Sequence, residues 1–308
     1  MSFNTPILYL MFNRPDLVKQ TFPVIKARKP QFLYVAADGP RNNNKRDIQK
    51  CQECRDWVLS QIDWDCEVKT LFRDENLGCG LGPSRAITWF FENVEEGIIL
   101  EDDCLPNLFF FEFAAKLLNT YRNDQRVSMI SGFNICGEWK SNEQSYHFSY
   151  FGGVWGWATW KRSWAFFDFY IENWKKDHLS KPLLKNYFPP DQYETRDRFY
   201  NKIFEQAHSD KPHIWDSQWT FSRLVQNSLA IVPCKNLVKN IGFNSDASHT
   251  LDDSHPWSSI ETSSAFELTH NNHFVRDIVF DSNYFSAPSK KSQLRRILHD
   301  IKDFLSPS

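Results

Sequence analysis

Gly97-Ile98-Ile99-Leu100-Glu101-Asp102-Asp103 decides how the chain is read: a short apolar run of strand length passes directly into three consecutive carboxylates. Side chains alternate along an extended backbone, so Glu101 and Asp103 share one side and Asp102 takes the other. Like charges this close, at the end of a buried strand, repel and raise one another's pKa unless a cation lies among them. Mg²⁺ and Mn²⁺ suit such a place because they prefer oxygen ligands. Mg²⁺ commonly takes one or two carboxylates and completes its shell with water and substrate phosphates. The stretch reads as a divalent-metal site for a phosphorylated substrate. The alternative is that Asp103 merely charges or caps a helix beginning near Pro106-Asn107.

On either side of this stretch, apolar runs and helical segments alternate. Ile7–Phe12 reads as a strand ended by Asn13-Arg14-Pro15, with Pro15 opening a helix to about Ile25. Gln31–Ala37 is a second strand, closed by the turn Asp38-Gly39-Pro40. Asn44–Ile62 is an amphipathic helix and Cys66–Phe72 a third strand. Gly78-Cys79-Gly80-Leu81-Gly82 reads as a loop, with Pro83 opening a helix to about Asn93. A helix from Asn107 to Tyr121 then precedes a strand at Val127–Ser131. This alternation predicts an α/β fold: a mostly parallel sheet with helices on both faces. Ligands bind such sheets outside the carboxyl ends of the strands, where Asn13-Arg14, Asp38, Arg73 and Glu101–Asp103 all fall.

Composition narrows the function classes. A formal charge of −2 with 24% charged residues gives no whole-protein field toward nucleic acid. Aromatics reach 16%, enough for a core and a surplus that can stack on ligand faces. The first residues lack a basic region and a small-residue cleavage site, and no apolar run approaches the ~18 residues of a spanning helix. Seven scattered cysteines, an odd number, point to a reducing compartment, so the expected location is the cytoplasm.

Beyond Gly132 the pattern changes. A Gly- and Trp-rich segment (Gly152-Gly153-Val154-Trp155-Gly156-Trp157-Ala158-Thr159-Trp160) precedes helical stretches at Asp197–Ala207 and Asp216–Gln226 and a short strand at Leu229–Val232. Polar loops follow to about Asn283. In 289–308, Leu294, Ile297, Leu298, Ile301 and Leu305 mark one helical face beside Lys290, Lys291, Arg295 and Arg296. Such a helix packs on the domain or a second subunit, or lies peripherally on an anionic membrane surface.

Taken in order, Phe12-Asn13-Arg14-Pro15, Ala37-Asp38-Gly39, Asn76-Leu77-Gly78, Leu100-Glu101-Asp102-Asp103, Ile130-Ser131-Gly132-Phe133-Asn134, Gly156-Trp157-Ala158-Thr159-Trp160, Trp215-Asp216 and Asn240-Ile241-Gly242 resemble the motifs of GT-A-fold nucleotide-sugar glycosyltransferases. Within them the chain looks closest to bacterial HlpA-like haemolytic proteins. It is more distantly similar to the N-acetylglucosaminyltransferase that initiates complex N-glycans. The resemblance implies a GT-A (Rossmann-like) sheet with a smaller acceptor-side subregion. It implies that Asp103 binds a Mn²⁺ or Mg²⁺ bridging the donor diphosphate, that Asp102 faces the ribose, and that Glu101 faces the sugar or a metal-bound water. It further places Asp38 on the nucleoside and Arg14 on the base or pyrophosphate.

Physically, Asp38-Gly39 is equally a tight turn. Arg85 and the backbone before Pro83 can serve phosphate, or form a plain surface turn. Asp216, between Trp215 and Trp219, is the candidate general base, desolvated by its tryptophans, or else the N-cap of its helix. His249 is a candidate metal or phosphate ligand. Trp155, Trp157 and Trp160 are candidates for an acceptor wall, against a core role.

The expectation is a catalytic domain over 1–250, with a nucleotide-binding part to about 135 and an acceptor part over about 136–250. Loops over 251–288 and the basic helix 289–308 follow. The expected reaction is metal-dependent inverting transfer of a sugar from a nucleoside-diphosphate sugar, UDP-sugar foremost, to a saccharide or lipid-linked saccharide acceptor. The resemblance suggests surface-polysaccharide or lipopolysaccharide synthesis. A sugar nucleotidyltransferase is the alternative, although Asn13-Arg14-Pro15 lacks the glycine-rich basic loop such enzymes typically carry after the first strand. A non-catalytic carbohydrate- or membrane-binding protein is the third reading.

Overall fold

The computed structural model describes residues 3–243, 257–270 and 273–285. The chain begins Ile7–Met11 (β1), Pro15–Arg28 (α1), Phe32–Ala37 (β2), Lys45–Ser60 (α2), Glu67–Phe72 (β3), Gly78–Asn93 (α3) and Glu96–Glu101 (β4). Cys104–Pro106 (β5), Leu108–Tyr121 (α4) and Val127–Ser131 (β6) complete the alternating part. Tyr146–Ser149 (β7), Trp157–Trp160 (β8), Lys161–Trp164 (α5), Asp177–Tyr187 (α6), Tyr193–Ala207 (α7) and Asp216–Val225 (α8) follow. Leu229–Pro233 (β9), Val238–Asn240 (β10) and Ile278–Phe285 (α9) close the described chain.

Eight strands form one sheet in the order β3-β2-β1-β4-β8-β6-β9-β7. β1 runs parallel to β2 and β4, β2 to β3, and β6 to β9, while β7 and β8 run against their neighbours. The fold is therefore α/β with a mostly parallel sheet, as the alternation predicted. Every residue of β1 is buried, which is why this strand reads as an unbroken apolar run. One core, with Phe22, Phe110, Phe111, Phe113 and Trp160, packs under α1 and α4. Another, with Phe90, Trp157, Trp164, Trp215 and Trp219, packs under α3 and α8 on the opposite side. A third cluster, with Trp174, Leu183, Phe188, Tyr200 and Phe221, holds α6 and α7 together.

Three differences from the sequence reading bear on the site. First, α3 starts at Gly78 rather than Pro83. The missing side chains are what allow it: a Cβ on Gly80 would lie 2.5 Å from Pro212 O, and one on Gly82 would lie 3.1 Å from Asp38 Oδ2. The glycines therefore serve close helix packing, and the expected phosphate loop is helix. Second, β8 sits inside the sheet between β4 and β6, so the Gly- and Trp-rich segment belongs to the same sheet as the first half of the chain. Third, residues read as C-terminal loops include α9, whose Phe280 ring lies 4.2 Å from that of His147. The Asp277 N–H donates to Phe148 O at 2.8 Å, securing this segment to β7. His249 and the helix read over 289–308 lie outside the described residues. Among the described residues no helix is long and apolar enough to cross a membrane.

Candidate active site

β4 delivers the acidic triplet to the sheet's carboxyl edge, beside the end of β1. Asp102, only 2% exposed, accepts from the Phe12 N–H at 3.2 Å and is paired with Arg14 Nη2. Arg14 Nη1 lies 3.0 Å from Asp103 Oδ2, so one guanidinium bridges two carboxylates. Arg14 occupies the position before α1, where its side chain makes no cap and turns to the acids instead. Asp103 is framed from a distant part of the sequence. β10 pairs antiparallel with β5, Ile241 N–H donates to Asp103 O at 2.8 Å, and a Cβ on Gly242 would lie 2.6 Å from Asp103 Oδ2.

The crowded acids therefore already have a cation among them, and it is Arg14. Three carboxylates sit with one guanidinium, so the cluster keeps an excess of negative charge. Burial, then the charges of Asp103 and Asp102, push the Glu101 carboxyl up to about 8, with Arg14 opposing. Burial likewise raises Asp102, against the pull of Arg14. Burial acts to lower Arg14, but Asp102 and Asp103 outweigh it and raise its pKa.

Among the described residues no group of three His, Cys, Asp or Glu side chains is arranged to hold a metal ion. A cage built by protein alone does not fit. The donors present do fit a hard cation that brings most of its own shell: Asp103 and Glu101 offer carboxylate oxygens at a partly open strand end.

Asp38 has a structural task at this edge. Its carboxylate accepts from the backbone N–H of Leu77 and Gly78, each at 3.0 Å, and from Asn76 Nδ2 at 3.1 Å. It ties the end of β2 to the start of α3. Arg85 is exposed on α3, and its charge, after burial, lowers the pKa of Arg73 at the end of β3. The two guanidiniums thus form a basic corner at that end of the rim.

On the other flank a cavity of about 180 Å³ opens between the sheet edge and the α6–α8 helices, and Asp216 and Trp155 line it. Asp216 is the first residue of α8, after Trp215 in the cap position, and its Oδ1 accepts from the Ser217 N–H at 2.8 Å. It is exposed, so the desolvation expected from its tryptophans is absent. Trp215 and Trp219 are i,i+4 neighbours on the opposite face of α8, buried beside Trp157. The charge of Asp216 nevertheless reaches Glu101 and adds to the forces raising it.

Trp157 and Trp160 do not form the cavity wall. Strand alternation sends them to opposite faces of the sheet, where they are 0% and 1% exposed. Trp157→Ala is expected to cost about 3–5 kcal/mol in urea melts, whereas Trp155→Ala should cost no more than about 1–2 kcal/mol. Equal stability losses would contradict the division of roles. Sequence reasoning missed Arg196, Tyr200 and Tyr284, which also line the cavity. The cue was present as Phe199-Tyr200 on an otherwise polar helix.

The class defined at this point is an α/β protein with a buried Arg–carboxylate cluster at the carboxyl edge of a mostly parallel sheet. No family model matches the chain, and no curated protein matches it. It is similar to a solved mannosyltransferase from Pyrobaculum calidifontis, in complex with GDP-Man and Mn²⁺: 14% identity over 72% of this chain and 70% of that one, TM-score 0.37. It is also similar to HddC from Yersinia pseudotuberculosis (11% identity, 57% and 86% covered, TM-score 0.31). A third similar structure is an inositol-1-phosphate CTP transferase from T. maritima (9% identity, 80% and 91% covered, TM-score 0.40). The finer likeness to HlpA-like proteins and to the N-acetylglucosaminyltransferase rests on sequence motifs alone.

Proposed function

We propose that this protein is a nucleoside-diphosphate-sugar-dependent glycosyltransferase that works by inversion. The carrying observation is the Arg14–Asp102–Asp103 cluster at the end of β4, and Asp216, which lines the cavity, adds a small part of the charge that raises Glu101. Asp103, with Glu101, would hold a Mn²⁺ or Mg²⁺, which offsets charge on a departing diphosphate when bound. Arg14 positions both aspartates and adds positive charge at the place where the diphosphate sits. Asp216 accepts the acceptor's hydroxyl proton, and Trp155 lines the acceptor's seat. Arg73 and Arg85 supply further cationic charge on the nucleotide flank. The nucleotide part to about 135 and the acceptor part over about 136–250 follow from this assignment. Assembly of a surface polysaccharide is the setting the resemblance suggests.

The test is a calorimetric titration of UDP with Mn²⁺, followed by a screen of UDP-sugars for transfer. UDP is expected to bind only with Mn²⁺ present and to tighten as pH rises toward 8. Cation and proton compete for Glu101, whose carboxyl is held at about 8 in the free protein. Release of nucleoside diphosphate marks a glycosyltransferase, and release of pyrophosphate a nucleotidyltransferase. Nucleotide binding indifferent to both Mn²⁺ and pH would refute the site.

A further inference from the structure

We propose that Cys79 and Gly80, at the start of α3, are positioning residues for Asp216: they hold the Pro212-His213 backbone that leads into α8. They thereby set where the Asp216 carboxylate stands relative to the acids at the end of β4. This inference deepens the transferase reading and rests on its assignment of Asp216. α8 begins at Asp216, shortly after His213 in the chain. The Cys79 thiol donates to His213 O at 3.2 Å, joining segments 134 residues apart. A Cβ on Gly80 would lie 2.5 Å from Pro212 O, 2.8 Å from Pro212 C and 3.1 Å from His213 N. α3 therefore lies flush against the backbone of this segment. The start of α3 is itself anchored, because Asp38 accepts from the Leu77 and Gly78 N–H groups, each at 3.0 Å. Through Asp38 the contact is tied to β2, which the sheet joins to β4 by way of β1.

The helix side is fixed independently. Trp215 is buried and stacks on Trp157 with ring centroids 5.9 Å apart, and Gln218 Nε2 donates to Ile214 O at 2.6 Å. Trp215 thus pins the first turn of α8 to the core, while the contact with α3 limits how far that turn can move along the sheet edge. Burial raises the Cys79 thiol, and the charges of Glu101, Asp38 and Asp216 all reach it. The contact therefore lies within electrostatic reach of both the triplet and Asp216. A backbone carbonyl cannot swing aside as the tip of a flexible side chain does, so a methyl on Gly80 must push α3 and Pro212 apart. A general base acts only within hydrogen-bond reach of its proton, and a misplacement of about 1 Å can cost about 10²-fold in rate.

The experiment compares Gly80→Ala, Cys79→Ala and Cys79→Ser with the parent. Calorimetry measures binding of UDP with Mn²⁺. UDP release is followed from UDP-glucose, UDP-galactose and UDP-N-acetylglucosamine with Mn²⁺, water taking the acceptor's place. Gly80→Ala is expected to lower kcat about ten- to a hundredfold, with donor KM and UDP–Mn²⁺ affinity within about twofold of the parent. Cys79→Ala should lose about threefold in kcat, and Cys79→Ser, which keeps a donor, should restore most of it. Added to Asp216→Asn, Gly80→Ala should bring no further loss, because the carboxylate it displaces is already gone. An unchanged kcat in Gly80→Ala, donor affinity falling in step with kcat, or a full further loss beside Asp216→Asn each overturns the inference. Should Gly80→Ala fail to fold by thermal melt, the Cys79 pair decides, and equal rates in its two variants overturn the proposal. If the parent neither binds UDP with Mn²⁺ nor releases UDP, the transferase reading falls. A crystal structure of a folded variant then decides the positioning: a shift of Asp216 from Asp103 by about 1 Å sustains it, and an unmoved carboxylate overturns it.

Discussion

Arg14→Met is expected to lower stability by about 3–5 kcal/mol, because it leaves Asp102 as an uncompensated buried carboxylate. Asp102 is 2% exposed, and of its two anchors only the 3.2 Å hydrogen bond from the Phe12 N–H would remain. The carboxylate has one escape, which is to take up a proton. Its pKa is already raised by burial despite Arg14, and without the guanidinium it rises further. A carboxyl whose folded pKa exceeds its unfolded one stabilises below the unfolded value and loses that contribution as pH climbs through the folded one. The deficit of Arg14→Met should therefore grow from pH 5 to pH 8. Pairing it with Asp102→Leu should recover most of the stability, since apolar replacements of a buried ion pair are often neutral. Nucleotide binding should stay lost in the double variant, which separates the cluster's structural work from its function. Urea melts at several pH values check this, and a single variant within 1 kcal/mol of the parent would show that Arg14 is not Asp102's counter-charge.

Much of this was readable before any coordinates. Strands β1, β2, β4 and β6 were legible because central strands are buried on both faces, and unbroken apolar runs such as Ile7–Met11 announce that; the short β5, paired with distant β10, gave no such run. Pro15 marked the start of α1 because its fixed φ suits a first helical turn. The triplet's position at a strand end was legible for the same local reason. Whatever depends on distant partners was not. Arg14 reaches Asp102 across 88 residues, and only the β1–β4 pairing brings them together. The start of α3 was misread because glycines usually break helices, whereas here Gly80 and Gly82 admit the close approach of Pro212 and Asp38. Trp157 and Trp160 were ambiguous because a sequence rich in tryptophan does not say which face of a strand is covered. Of the cavity only Asp216 and Trp155 were named, since Arg196, Trp257 and Tyr284 come from segments with no local signature in common.

Asp216→Asn is expected to reduce sugar transfer by about 10²–10⁴-fold, the range that a positioned general base supplies. Asparagine keeps the size and the oxygen that accepts from the Ser217 N–H, so α8 should still begin at the same place. Losing a negative charge from the first turn should cost no more than about 0.3–1 kcal/mol. Donor binding gives the sharper discrimination. The charge of Asp216 helps raise Glu101, so its removal lets Glu101 ionise at lower pH. At pH 7 the variant should bind UDP with Mn²⁺ as tightly as the parent or more so, while turnover collapses. A variant that merely disturbed the fold would lose both together. Transfer above a tenth of the parent rate would move the base to another carboxylate. Glu101 is then the next carboxylate to test, raised by burial, Asp103 and Asp102 and only in small part by Asp216.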